Sequence, residues 1–326
     1  MKTYLVTGGA GFIGINFVKF LLRENKRIKI IVLDKLTYAS NIEALKDEIE
    51  KNKIIFYRGD INDTNFVEEI FQKHDIDYIV NFAAESHVDN SIENPTPFFT
   101  TNIMGTVNLL NIAKKYWEIK KSVYGEKKFL QISTDEVYGS LNLESENSFL
   151  EGDKLSPSSP YSSSKAAADL IVLSYFKTYN FPALISRTTN NFGEYQHTEK
   201  FIPASIKRLL NGEKIKIYGD GKNVRDWLYV IDNCRAIYKI LNFGKIGEIY
   251  NVSASNEMSN NEVAKILIEK IKRTDNFYDY IEYVDDRAGH DRRYSLDSSK
   301  TQNELNWKKH ISFVEGIEKT IKYFKK

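Results

Sequence analysis

Apolar and polar positions along this chain follow two periods in turn. Short apolar runs at 3–7, 28–33, 54–57, 78–82 and 129–132 have strand length and read as buried strands. Between them the period lengthens. Phe12, Ile13, Phe17, Phe20, Leu21 and Leu22 fall near helical spacing, 42–49 is a charged amphipathic stretch, and Phe66 to Phe71 continues the pattern. A long helix is predicted from Pro97 to about Trp117, and another from 162 to 179. Strand and helix alternating over the first 130 residues predict an α/β fold built on a doubly wound parallel sheet. A further strand is predicted at 183–187. From about residue 190 the pattern is less regular: helix at 200–210, strand at 215–218, turn at 219–221, and helices at 257–271 and 313–324. Residues 141–159 are polar and aperiodic and read as a surface loop or flap.

Three stretches carry candidate chemistry. Residues 8–14 hold Gly9-x-Gly11-x-x-Gly14 between a strand and a helix, the context in which glycines let a backbone approach a pyrophosphate at a helix N-terminus. Asp34 ends the second strand, where an acidic residue can hold ribose hydroxyls and repel a 2′-phosphate; Lys35 beside it works the other way. Asp60 either reaches an adenine edge or caps the next helix, and Ala83 and Ala84 leave room at the fourth strand's end. The second stretch, Ser133-Thr134-Asp135-Glu136, puts two adjacent carboxyls at the carboxyl end of a central strand, where α/β sheets bind ligands. The alternative is a turn cap and a solvated acid. The third is Tyr161-x-x-x-Lys165, whose i, i+4 spacing lets the ammonium sit beside the phenol, lower its pKa and make it a usable base. Later, Lys200, Arg225, Arg287, Arg292 and Arg293 form a basic set able to neutralise a diphosphate.

Composition narrows the setting. Net charge is +2, which gives no electrostatic case for nucleic acid as a partner. No apolar run approaches 18 residues, so no membrane span is expected. Cys234 is the one cysteine, excluding an intrachain disulfide. A strand starting at once after Met1 leaves no room for a signal peptide, and a cytoplasmic location is expected. His74, His87, His197, His290 and His310 are scattered, and no metal site is expected.

Taken together, 7–14 with Tyr161 and Lys165 resemble the extended short-chain dehydrogenase/reductase superfamily. Within it, 34–39, 83–89, 134–138 and 225–230 resemble the dTDP-glucose 4,6-dehydratase family. Related epimerases usually carry a small hydroxyl residue in place of the acidic pair. This chain departs from the family at Glu194, Thr198 and Ala288, where proline is frequent. The resemblance implies a Rossmann-type NAD domain over 1–189, with part of 230–255 returning to it. It implies a smaller mixed α/β substrate domain mainly over 190–326, and a homodimer through the helices at 97–117 and 162–179. It implies NAD as cofactor, held by Gly8, Gly11, Phe12, Ile13, Gly14, Asp34, Lys35, Thr37, Asp60, Ile61, Ala83, Ala84, Thr101, Tyr161, Lys165 and Asn191. It implies dTDP-glucose as substrate, held by Ser86, His87, Thr134, Asn190, Lys200, Phe201, Lys216, Tyr218, Arg225, Asn256, Arg287 and His290. Thr134, Asp135, Glu136, Tyr161 and Lys165 would be catalytic. Rival readings are an epimerase or UDP-sugar dehydratase of the same superfamily, and a silent NAD-binding regulator.

Overall fold

The strands, in chain order, are β1 (Lys2–Thr7), β2 (Ile28–Asp34), β3 (Ile55–Arg58), β4 (Tyr78–Asn81), β5 (Lys128–Thr134), β6 (Ala183–Thr188), β7 (Asn190–Phe192), β8 (Ile215–Tyr218), β9 (Val224–Tyr229), β10 (Ile249–Val252), β11 (Glu257–Ser259) and β12 (Ile281–Val284). The computed structural model describes residues 1–25, 27–286 and 290–325. The central sheet has seven strands in the order β10-β6-β5-β4-β1-β2-β3, paired in parallel throughout. Strand order reverses at β1 and β4, and a crevice opens beyond their carboxyl ends. The Thr7 hydroxyl donates to Asn81 Oδ1 at 2.6 Å, and Asn81 Nδ2 donates to Gln131 Oε1 at 2.8 Å, tying β1, β4 and β5 together in the sheet interior.

Alternation along each strand supplies both faces with apolar side chains. Val6, Val32 and Leu130 pack under the helices Phe12–Glu24 and Val230–Phe243, through Phe17, Leu21, Ile237 and Ile240. Leu5, Ile31 and Ile79 face the opposite layer, with Val67, Leu109, Ala113 and Val172 of Thr64–Lys73, Thr106–Trp117 and Pro160–Tyr179. β11-β9-β7 and β12-β8 form two smaller sheets. With the helices Phe201–Leu210, Asn260–Lys272 and Phe313–Phe324 they enclose a separate core around Ile206, Ile217, Leu267 and Ile317.

Several local expectations change. Residues 42–49 are a 3₁₀ turn, Ile42–Leu45, running into a short helix, Lys46–Glu50. Asp63 caps Thr64–Lys73 by accepting from Phe66 N at 3.0 Å; Asp60 does not cap it, and instead accepts from Asn62 N at 2.9 Å. The long helix from 97 is interrupted: Thr96–Phe98 leads into a π-helical segment, Phe99–Gly105, before Thr106–Trp117. Residues 257–259 form a strand rather than a helix start. Ser259 then opens Asn260–Lys272 in a reciprocal cap with Glu262. Residues 141–159 form an irregular segment, as expected, with backbone ties to a neighbouring one. Leu141 N donates to Arg293 O at 2.9 Å, and Phe149 N to Ser295 O at 2.9 Å, lacing the loop to the 291–297 segment.

Candidate active site

Beyond the carboxyl ends of the sheet lies a cavity of about 320 Å³. Its floor is the turn from β1 into Phe12–Glu24. Gly8 sits at φ +64°, and a Cβ there would meet Ala83 N at 2.6 Å. A Cβ on Gly14 would collide with Gly8 O. Gly11 precedes the helix without a side-chain cap, which leaves the first-turn N–H groups as donors for an anion. The turn therefore leaves space and donors suited to a pyrophosphate, which is what a dinucleotide would place there. Gly8, Gly11, Phe12, Ile13 and Gly14 all line the cavity.

The end of the cavity beside β2 is held by Asp34. Its carboxylate accepts from Ala10 N at 3.0 Å, Leu36 N at 2.8 Å and Ser40 Oγ at 3.0 Å. Lys35 Nζ lies 3.0 Å from Glu85 Oε1, 3.9 Å from Asp60 Oδ2, and donates to Thr101 Oγ1 at 3.2 Å. Thr37, Asp60, Ile61, Thr101, Ala83, Ala84 and Asn191 complete the lining among the residues expected to hold a cofactor.

At the other end, β5 runs into a tight 3₁₀ turn, Asp135–Tyr138, capped by Thr134, whose Oγ1 accepts from Glu136 N at 3.3 Å. The same hydroxyl donates to Asp135 Oδ1 at 3.0 Å. Asp135 is buried, and its Oδ2 has no hydrogen-bond partner among the described residues. Burial, reinforced by the neighbouring Glu136, pushes its pKa up to about 8. Tyr161 and Lys165, one turn apart at the start of Pro160–Tyr179, line the same cavity. The expected lowering of the phenol is reversed. Burial first, then the charges of Glu136 and Asp135, hold Tyr161 well above the usual range. Lys165 Nζ donates to the Ile132 carbonyl at 2.6 Å, and burial lowers its pKa to about 8. A buried network lies beneath these groups. Asp169 Oδ2 accepts from Ser133 Oγ at 2.9 Å and from Arg187 Nε at 2.9 Å. Arg187 Nη1 donates to Tyr138 OH at 2.8 Å, which donates to Asn251 Oδ1 at 2.9 Å.

Of the residues expected to hold substrate, Ser86, Thr134, Asn190 and Lys200 line this cavity. His87 caps the short helix Val88–Glu93 and lies 3.7 Å from Glu199. Phe201 sits against Trp227, ring centres 6.4 Å apart. Lys216 and Tyr218 are exposed on β8, with Tyr218 edge-on to His290 at 6.5 Å. Asn256 N donates to Asp226 Oδ1 at 2.7 Å. Arg225 is buried, donates to Asp291 O at 2.8 Å and lies 4.3 Å over the Tyr294 ring. Arg287 is outside the described residues. Of the remaining members of the basic set, Arg292 pairs with Asp220 at 3.0 Å and Arg293 with Glu257 at 2.6 Å.

Sequence reasoning passed over Ser40, Thr188, Thr189, Gln196, His197 and Glu199, which also line the cavity. Thr188 and Thr189 stand at the carboxyl end of β6, and that position was itself a signal. Glu199 carried none. Tyr294 was also missed; its phenol is held well above the usual range by burial and by the charge of Glu136.

Comparison with known proteins places this geometry. The family described as GDP-mannose 4,6 dehydratase matches residues 5–320. The chain is 47% identical over 320 residues to the "Low-salt glycan biosynthesis protein Agl12" of Haloferax volcanii, covering 98% of this chain and 97% of that one. It is 44% identical over 337 residues to the dTDP-glucose 4,6-dehydratase of Haemophilus influenzae, covering 99% and 98%. It superposes with a TM-score of 0.91, at 40% identity and over 99% and 97% of the two chains, on DesIV (dTDP-glucose 4,6-dehydratase) from Streptomyces venezuelae with NAD and TYD bound. The likeness extends over nearly the full length of this chain and of these relatives, and the chain belongs to the GDP-mannose 4,6-dehydratase family.

Proposed function

We propose that this protein is an NAD-dependent sugar-nucleotide 4,6-dehydratase that converts dTDP-glucose to dTDP-4-keto-6-deoxyglucose and water. The observation that carries the reading is the acidic turn: a buried Asp135 kept protonated near neutral pH, beside Glu136, in the cavity that holds the glycine cradle. The similarity to dTDP-glucose 4,6-dehydratases over the whole chain supports the same assignment. The chemistry that NAD supplies when bound is reversible hydride transfer, out of C4 and back into C6.

In this proposal Tyr161 takes the proton of the glucose 4-hydroxyl, and Thr134 hydrogen-bonds the same oxygen. To act as a base Tyr161 must first be a phenolate, which burial and the two carboxyls disfavour; positive charge beside it, from Lys165 and from an oxidised nicotinamide when bound, would offset that cost. The resulting 4-ketone acidifies C5–H. Glu136 removes that proton, and Asp135 protonates the departing 6-hydroxyl, which leaves as water; Glu136 then returns its proton to C5 as C6 receives the hydride. Epimerisation has no use for the second half of this machinery, which sets the epimerase reading aside.

The proposal extends to a homodimer. Phe99, Met104 and Leu170 are apolar and exposed on the helices at 97–117 and 160–179, a surface suited to a second copy of the chain. The proposed location is cytoplasmic; among the described residues, no helix is long and apolar enough to cross a membrane.

The test is product identification after mixing purified protein with dTDP-glucose and, separately, UDP-glucose, without added NAD. A 4-keto-6-deoxy sugar from the dTDP substrate is the expected result. The same product mainly from UDP-glucose overturns the nucleotide assignment, and a 4-epimer overturns the reaction. A second expectation concerns pH. Asp135 and Lys165 both lose a proton near pH 8, so the proton donor and the cation disappear together as pH rises. Turnover should therefore fall on the alkaline side of about pH 8. A pH–rate profile flat to pH 9.5 or so would remove Asp135 as the acid.

A further inference from the structure

A basic residue beside the acid that ends the second strand is the usual device for accepting a 2′-phosphate on the adenosine ribose. Lys35 occupies that position, directly after Asp34. Its surroundings remove the function. The ammonium is 3.0 Å from Glu85 and 3.9 Å from Asp60, and it donates to Thr101 Oγ1 at 3.2 Å. Glu85 is itself fixed from both sides by Asn102. Its N–H donates to Asn102 Oδ1 at 2.9 Å, and its carbonyl accepts from Asn102 Nδ2 at 3.0 Å. Thr101 and Asn102 both belong to the π-helical segment Phe99–Gly105, so this segment supplies the hydroxyl that engages Lys35 and anchors the backbone of Glu85.

We infer that Glu85, with Asp60 behind it, neutralises Lys35 and so makes this site select a nicotinamide dinucleotide with a bare ribose 2′-hydroxyl over its 2′-phosphorylated form. A 2′-phosphate brings close to two negative charges. Here it would arrive among Asp34, Asp60 and Glu85, with the adjacent cation already paired. The inference rests on the proposed use of NAD and adds Glu85 as its specificity determinant.

The experiment uses the full chain, stripped of nucleotide and titrated calorimetrically with NAD⁺ and with NADP⁺. The readout is the ratio of the two dissociation constants. Glu85→Gln should lower the NADP⁺/NAD⁺ ratio roughly tenfold, a moderate effect because Lys35 is partly exposed. Asp60→Asn, acting over the longer distance, should lower it less, and it supplies the test if Glu85→Gln fails to fold. Adding Lys35→Met to Glu85→Gln should return the ratio to that of the parent. An unchanged ratio in both acidic variants, or a lowered ratio that survives loss of Lys35, overturns the inference. A parent protein that binds neither nucleotide overturns the NAD reading first and this one with it.

Discussion

Glu136→Gln is expected to slow turnover by about 10²–10⁴-fold while leaving nucleotide binding intact. Glutamine keeps the shape of the side chain and the backbone bond from Glu136 N to Thr134 Oγ1 at 3.3 Å, so the turn itself should survive. What it loses is the capacity to take the C5 proton. Oxidation at C4 comes before that step and does not need Glu136. The variant should therefore become reduced at its nicotinamide on mixing with dTDP-glucose and stay reduced, which near-ultraviolet absorbance follows directly. Unchanged turnover would remove Glu136 from the mechanism. Loss of both turnover and reduction would shift it to substrate binding.

Asp169→Ala should cost about 3–5 kcal/mol of stability, read as a fall in the denaturant midpoint at constant slope. The Arg187 and Asp169 side chains are only 2% and 0% exposed, so truncation leaves a guanidinium buried without its counter-ion. Ser133 Oγ loses its acceptor in the same change, at the residue preceding Thr134. Replacing both partners with apolar residues should recover much of the loss, because the cost lies in the orphaned charge more than in the pair. A single-variant loss below about 1 kcal/mol would show that water or a neighbour takes over the arginine.

The parts of the site that could be read from sequence are those coded by consecutive residues. Gly8 with Gly11 to Gly14, Asp34, Thr134 to Glu136, and Tyr161 with Lys165 each sit in one short segment whose turn or helix places them, and all line one cavity. What sequence leaves silent are partners far along the chain. The pairs of Arg292 with Asp220 and of Arg293 with Glu257 join residues 72 and 36 positions apart. Tyr161 was expected to be lowered by Lys165, four residues on. The larger influences are burial and two carboxyls brought in by β5. The π-helical segment is silent in an apolar pattern, since a single widened turn barely disturbs a period of 3.6. The helix expected from 257 starts instead at Asn260, after a reciprocal Ser259–Glu262 cap whose Ser-x-x-Glu pattern the apolar period does not register.

The position of β10 bears on how the chain comes off the ribosome. β6 pairs with β5 on one side and β10 on the other, yet β10 follows β6 only after about sixty residues of intervening chain. At typical synthesis rates of 5–20 residues per second, that segment takes roughly 3–12 s to emerge. During this interval the 185–188 backbone, which later pairs with 249–252, is an unsealed sheet edge. The nascent chain therefore passes through a window in which the nucleotide layer is open to intermolecular strand pairing. Its closure waits on residues translated after β7, β8 and β9.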